Sequence, residues 1–376
     1  MAVPEKAVWK LSPHTEAKHA MLRSYLETWL AKLAGTRGIP PLTYAEGFAG
    51  PGVYEGEKPG SPVIALDVFL KQAHRLRRDQ HLNVLLIEED ARRVEELRRQ
   101  VAAKLAPHGG SHPKLNVTIQ HADASALLSD LTEESRRDEP FFAFLDGWGG
   151  PDHIPFETAR HVAQRRGGEV LVTFEASHLW RFVDDEERAE VGDRCFGSQE
   201  WRDVKNQPSN KKQKFLIDAY QKSLKRAGFE YVTSFEMILP KKSRLHLVFG
   251  TKHIEGLRVM KKAMWKVDPH QGGVFHDPRF PGQLSLDLEA QADLSHLRKV
   301  ILDKLEEGPI SIDSLREFAL HETVYREKHA REVAQKLLRE KLITSTGGAN
   351  MGSGSILEMR SDDPASSAGP QQEALF

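Results

Sequence analysis

The feature that most constrains this chain is a glycine-rich turn set directly after a short apolar strand. Leu42–Glu46 reads as the strand, and Glu46-Gly47-Phe48-Ala49-Gly50-Pro51-Gly52 carries the chain out of it. Glycine tolerates positive φ, and without a Cβ it lets a ligand come close to the backbone. Taken alone, E-x-F-x-G-x-G also describes an ordinary tight turn. Its surroundings narrow the choice. An amphipathic helix over about residues 15–34 precedes it, with Leu22, Tyr25, Leu26, Trp29 and Leu33 in one stripe and Gly35 as a stop. After it, strands and helices alternate. Ser61-Pro62 reads as a cap and first-turn proline opening a helix through Leu70. Asn83–Glu88 is a buried strand, Asp90–Leu105 a charged amphipathic helix, and Asn116–Gln120, Phe141–Leu145 and Glu169–Phe174 are further strands. This rhythm predicts an α/β fold: a doubly wound, Rossmann-like parallel sheet with helices on both faces. Tyr231–Ile238 and Leu245–Phe249, separated by Pro240-Lys241-Lys242-Ser243, predict a terminal antiparallel hairpin.

Ligands of open α/β sheets bind beyond the carboxyl ends of the strands, and acids stand at those ends here. Glu88 ends the second strand, where a carboxylate can accept from ribose hydroxyls; Asp123 follows the third, where it can meet an adenine amino group. Asp146 ends the fourth and leads into Gly147-Trp148-Gly149. Each acid by itself also reads as a solvated strand-end carboxylate. Recurring with the glycine loop, they mark a candidate pocket. Glu46, Phe48, Gly50, Gly52, Glu88 and Asp123 are its cofactor-binding residues. Asp146 and Trp148 are its catalytic ones: the acid orients an acceptor amine and the indole stacks on a flat ring. Val53–Gly60 separates the glycines from the next helix, either as a flap with Tyr54 as a wall or as a surface excursion. Lys18 lies in phase with the first helix's apolar stripe, so it reaches over the pocket mouth or snorkels from a core edge. His19 is expected on a solvated face.

Composition removes several alternatives. A formal net charge of −1 gives no global attraction to nucleic acid or to a membrane. One cysteine, Cys195, excludes an intramolecular disulfide and a cysteine-built metal site, and the 17 histidines are scattered. No metal site and no P-loop are expected. No apolar run approaches the ~20 residues of a membrane span, and MAVPEKAVWKLS lacks the apolar core of a signal peptide. A cytoplasmic protein is expected. Polar, glycine- and proline-containing Ala189–Gln213 reads as a lid insertion, and residues 270–293 read as a linker after a first domain of residues 1–269. Residues 294–360 read as three helices followed by a glycine-tipped hairpin, the order of a winged helix, and 361–376 as a disordered tail.

Several strings together resemble the three-Cys-motif partner (TcmP) family. They are Lys18-His19-x-x-Leu22-x-x-Tyr25-Leu26-x-x-Trp29-Leu30 and the loop Glu46–Gly52 with Tyr54 and Gly60-Ser61-Pro62. Phe196-Gly197-x-x-x-Trp201-Arg202, His246–Phe249 with Thr251, His253 and Gly256-Leu257, and Met260-Lys261-x-Ala263-Met264-Trp265-Lys266-Val267-Asp268 extend the match over roughly residues 14–345. The resemblance implies a class I methyltransferase-like fold using S-adenosylmethionine, and a functional link to a separate three-cysteine, radical-SAM-like protein. The family usually has Asp at 46 and Asp-Pro at 146–147; here Glu46 and Gly147 stand instead.

Two functions are therefore expected of such a chain. One is methyl transfer from S-adenosylmethionine to nucleic acid or a nucleic-acid-associated amine, in DNA repair or phage-related work. The other is an inactive methyltransferase-like accessory that recruits the three-cysteine partner to DNA. Arg326, Lys328, Arg331, Lys336, Arg339 and Lys341 make the third winged-helix segment a candidate DNA contact. Lys205, Lys211, Lys212 and Lys214, with Lys241, Lys242 and Arg244, extend that basic character. Gln283–Leu288 and Gln372–Phe376 resemble the peptides that dock bacterial proteins on the sliding clamp, a glutamine at a pocket rim with apolar anchors inside it. Leu284, Leu286 and Leu288 equally fit an alternating strand.

Overall fold

The computed structural model of the chain describes residues 6–39, 41–124, 138–147, 154–240, 243–277 and 292–360. Contacts divide it into two units, Met1–Gln291 and Ala292–Phe376. The first unit runs α1 (Pro13–Leu33), β1 (Leu42–Gly47), β2 (Val53–Tyr54), β3 (Lys58–Pro59), α2 (Ser61–Gln72), β4 (Leu82–Glu88), α3 (Ala91–Leu105), β5 (Leu115–His121) and β6 (Pro140–Leu145). It continues through α4 (Phe156–Gln164), β7 (Gly167–Phe174), α5 (Glu186–Phe196), α6 (Lys212–Ala227), β8 (Tyr231–Ile238), β9 (Arg244–Thr251), α7 (Ile254–Val267) and β10 (Val274–His276).

β1 and β6 are buried at every position, as strands covered on both faces must be. The sheet order is β5-β4-β1-β6-β7-β9-β8-β10. Every neighbouring pair is parallel except those made by β9, which runs antiparallel to both β7 and β8. Winding outward in both directions from β1, with a reversed strand inserted before the last hairpin partner, is the class I methyltransferase arrangement of the Rossmann sheet. One face is covered by α1, α2, α3 and α7, where Phe142 stacks on Tyr25 at 5.0 Å and on Tyr44 at 6.0 Å. The other face is covered by α4, α5 and α6.

The second unit contains α8 (Ser295–Glu306), β11 (Ile310–Ser311), α9 (Ile312–Glu322), α10 (Glu327–Arg339), β12 (Ile343–Ser345) and β13 (Ile356–Met359). Its three strands pair in the order β11-β13-β12. Leu297, Ile301, Leu315, Ala334, Leu337 and Leu357 are wholly buried and form its own core. This is a winged helix.

Several sequence expectations shift. Ser61 is not the cap of α2: Gly60 is, and Ser61 and Pro62 occupy the first turn. Residues 189–213 are largely helical rather than an irregular lid. α5 and the 3₁₀ turns Glu200–Asn206 sink Cys195, Phe196, Trp201 and Val204 into the core around α6. Arg202 ties the two segments by pairing with Asp193 (2.6 Å) and Glu186 (3.0 Å). Local polarity misled because these charges neutralise one another over a buried aromatic pair, Phe196 on Trp201 at 5.7 Å. The start of the expected linker is ordered as well, since Val274–His276 adds a parallel edge strand. Gln283–Leu288, Gln372–Phe376 and the tail 361–376 lie outside the described residues. Among the described residues, no helix is long and apolar enough to cross a membrane.

A packed α5 has a measurable consequence. A Cβ on Gly192 would stand 2.2 Å from Trp201 Cζ2. Helix propensity favours Gly192→Ala by up to about 1 kcal/mol, but overpacking of this kind costs about 1–3 kcal/mol. We expect a net loss of stability in urea denaturation, whereas a loosely held lid would show a gain.

Candidate functional site

The carboxyl end of β1 leads into three left-handed residues: Phe48 (φ 65°), Gly50 (φ 65°) and Gly52 (φ 74°). Phe48 holds a conformation that a side chain disfavours, so neighbouring groups must fix the loop. Ala49 N–H donates to the Ile87 carbonyl at 2.9 Å, and Gly50 N–H donates to Glu88 Oε2 at 2.8 Å. Gly60 N–H donates to the Gly52 carbonyl at 2.8 Å. A Cβ on Gly60 would lie 2.8 Å from the Gly52 carbonyl carbon, so only glycine permits this closure. The ribbon of β2 and β3 thereby folds back over the loop.

The loop borders a cleft of about 750 Å³, its open mouth included, a size suited to a small-molecule ligand. Phe48–Tyr54, with Gly60 and Ser61, line one part. Trp9, His14, Thr15 and Lys18 contribute from the N-terminal side, and Asp146, Gly147, Thr173 and Glu175 from the ends of β6 and β7. Trp9 packs edge-on to Tyr54 (5.6 Å) and receives the Arg93 guanidinium on its ring (5.2 Å).

Charge inside the cleft centres on one pair. Lys18 Nζ donates to both oxygens of Asp146, at 2.7 and 2.5 Å, with the lysine side chain 7% exposed. Burial alone would raise the Asp146 carboxyl. The Lys18 ammonium, by its charge and its hydrogen bonds, outweighs that and holds the group below its ordinary value. His19 is buried against Tyr54 (ring centroids 5.7 Å), not solvated. Burial and then the Lys18 charge lower it to about 3, so it is neutral at physiological pH. Glu46 is also buried; burial raises it to about 8, even though the Tyr44 hydroxyl donates to its Oε2 at 2.8 Å.

The residues picked out in the sequence separate into three groups. Phe48, Gly50, Gly52 and Asp146 line the cleft. Glu46 and Glu88 sit behind it. Glu88 serves the loop itself, accepting from Gly50 and, through Oε1, from Asp90 N–H at 3.0 Å, with Arg93 3.7 Å away. Asp123 is exposed beyond β5 and is not among the lining residues. Trp148 lies outside the described residues. Sequence reasoning missed Trp9, His14, Thr173 and Glu175. Thr173 and Glu175 carried a signal, since they end a strand as Asp146 does; Trp9 and His14 carried none. Among the described residues, no group of three or more His, Cys, Asp or Glu is arranged to hold a metal ion.

Comparison with known proteins adds to this geometry at the second unit. Residues 276–347 match the family model described as the GMT-like wHTH domain, a winged helix-turn-helix. No curated protein sequence matches the chain. Similar solved structures include a probable spermidine synthase from Corynebacterium glutamicum, at 11% identity over 72% of this chain and 82% of that one (TM-score 0.33). An arsenic(III) S-adenosylmethionine methyltransferase from Chlamydomonas reinhardtii is 13% identical over 61% and 72% (TM-score 0.32). EvdMO1 is 11% identical over 63% of this chain (TM-score 0.32), and the aligned part spans only 42% of its length. Likeness this distant bears on no activity, and the fold assignment rests on the strand order.

The buried Glu46 makes a pH-dependent prediction. Its folded-state value, about 8, stands above the ordinary carboxylate value. Between the two, the folded state binds a proton that the unfolded state has lost, so this group's stabilising contribution declines as pH rises through that window and levels off above about 8. Glu46→Gln should therefore flatten the fall of the urea midpoint between about pH 5 and about pH 8. A variant that tracks the parent's slope across that range would contradict a protonated Glu46.

Proposed function

We propose that Met1–Gln291 binds S-adenosylmethionine in this cleft and transfers its methyl group to an amine of nucleic acid or of a nucleic-acid-associated substrate. The observation that carries this reading is the clamped left-handed loop Phe48–Gly52 at the point where the strand order reverses. That crevice is where doubly wound sheets bind nucleoside cofactors. The residues present fit such a ligand. Gly50 and Gly52 leave backbone open to close approach, Trp9 and Tyr54 offer aromatic surface, and Lys18 and Asp146 offer one charge of each sign. The cofactor, when bound, supplies an already activated methyl group. The chain's task is then to bind, orient and exclude water. Glu88 acts at one remove, holding Gly50 in place.

The winged helix supports the nucleic-acid half of the proposal. α10 exposes Lys328, Arg331, Lys336 and Arg339. Arg331 also donates to the Asn350 carbonyl at 2.7 Å and so ties the helix to the wing; Lys336 pairs with Glu332 at 3.1 Å.

A second reading has its own observation. Lys18 engages both Asp146 oxygens, and Gly147 replaces the proline usual in the resembled family. An accessory protein that binds the cofactor without transferring its methyl, and recruits a three-cysteine radical-SAM-like partner, suits those two facts.

Calorimetric titration with S-adenosylhomocysteine tests the shared premise. Gly50→Val places a branched side chain at positive φ, and Glu88→Ala removes the carboxylate that holds Gly50; each should weaken binding at least about tenfold. Absence of binding to the parent chain, or equal binding by both variants, would sink the cofactor site. Methyl label from S-adenosylmethionine then separates the two readings. Label appearing in DNA, RNA or an associated protein favours transfer, and binding without label favours the accessory role.

A further inference from the structure

An ion pair inside a ligand cleft has two physical explanations. It is a strut that holds elements together, or it is a receptor for a ligand that carries both charges. The strut explanation is weak for Lys18 and Asp146. α1 is already fixed by Met21, Leu22, Tyr25, Leu26 and Leu30, all wholly buried. A buried ion pair adds little net stability beyond what apolar side chains of similar size would give. The pair also lines the cleft, with the Asp146 side chain 20% exposed into it. Beside it, the buried Thr173 hydroxyl lines the same cleft and helps Lys18 hold the Asp146 carboxyl down.

We propose that Lys18 and Asp146 form the receptor for the α-amino acid end of the cleft's ligand, Lys18 taking the α-carboxylate and Asp146 the α-ammonium. The proposal rests on the reading that the cleft binds S-adenosylmethionine, and it assigns Lys18 as the residue that selects a carboxylated ligand over a decarboxylated one. Electrostatics supplies the reason. A zwitterion brings one charge of each sign to a site that already holds one of each, so every charge gains a partner and net charge is unchanged. A decarboxylated ligand brings only an ammonium, which must share Asp146 with the Lys18 ammonium, and the two like charges repel. The Thr173 hydroxyl, next to Asp146, can still accept a hydrogen bond from the ligand's ammonium. His19, neutral beside Lys18, adds no competing charge.

The test compares S-adenosylmethionine with decarboxylated S-adenosylmethionine by calorimetry on the full chain. Both carry the same nucleoside and sulfonium, so their ratio isolates the carboxylate. The parent chain should bind the carboxylated ligand about tenfold or more tightly, the usual strength of one charged hydrogen bond. Lys18→Met should bring that ratio to about one or below, and Lys18→Arg should keep the preference. Circular dichroism checks that each variant folds. If Lys18→Met does not fold, the parent's own ratio still decides. Equal affinity of the parent chain for the two ligands overturns the receptor while leaving the cofactor site standing, and so does a Lys18→Met protein with the parent's ratio. Failure of both ligands to bind the parent chain overturns the cofactor reading and the receptor with it.

Discussion

The site depends on one constraint: β1 lies inside the sheet, buried on both faces, with parallel neighbours β4 and β6 on its two sides. Parallel strands need crossovers, and the crossovers on the two sides of β1 take helices to opposite faces of the sheet. A crevice is left where they part, at the carboxyl ends of β1 and β6. The glycine loop fills its rim. Glu88, from the end of β4, takes the Gly50 amide and sets how the loop enters the crevice. Asp146, from the end of β6, faces in from the other side. A change in strand order would separate these groups even if every residue were kept.

Burial then decides how each acid behaves. Glu46 and Glu169 are both deeply buried, and burial raises them to about 8 and about 7. Hydroxyls serve them instead of cations: Tyr44 donates to Glu46, and Thr251 donates to Glu169 at 2.8 Å. Asp146 differs from these two. Lys18 keeps it ionised, and it is the acid that lines the cleft. Burial thus favours the protonated form of Glu46 and Glu169 in the core, while the lysine-paired Asp146 lines the cleft in its ionised form. That division follows from desolvation, which a protonated carboxyl escapes and a lysine partner offsets.

The winged-helix unit works by different physics. Its core is small and wholly aliphatic at the centre, and its helices and wing are joined by surface bonds, Arg331 to Asn350 and Arg298 to Glu340 at 2.6 Å. Such exposed pairs contribute little stability each.

Much of this was legible in the amino-acid order alone. The period-2 and period-3.6 patterns located most strands and helices of the first unit to within a few residues, and with them the α/β class, because each pattern reports which side of a local element faces the core. The glycine loop, and Asp146 at its strand end, could be named for the same reason: a strand end is a local property. Other facts had no local signature. Trp201 and Arg202 read as polar loop, yet they close a core, because their partners Phe196, Asp193 and Glu186 come together only when α5 folds back on the following turns. Asp123 and Glu88 look alike as strand-end acids, but β4 adjoins the loop and β5 does not. Lys18 stood in an apolar stripe, and nothing along the chain says what neutralises it; Asp146 is 128 positions away. Local sequence determined the elements and the loop chemistry. Only the tertiary structure decided which charges meet, because pairing across the sheet is set by strand order and helix packing, not by distance along the chain.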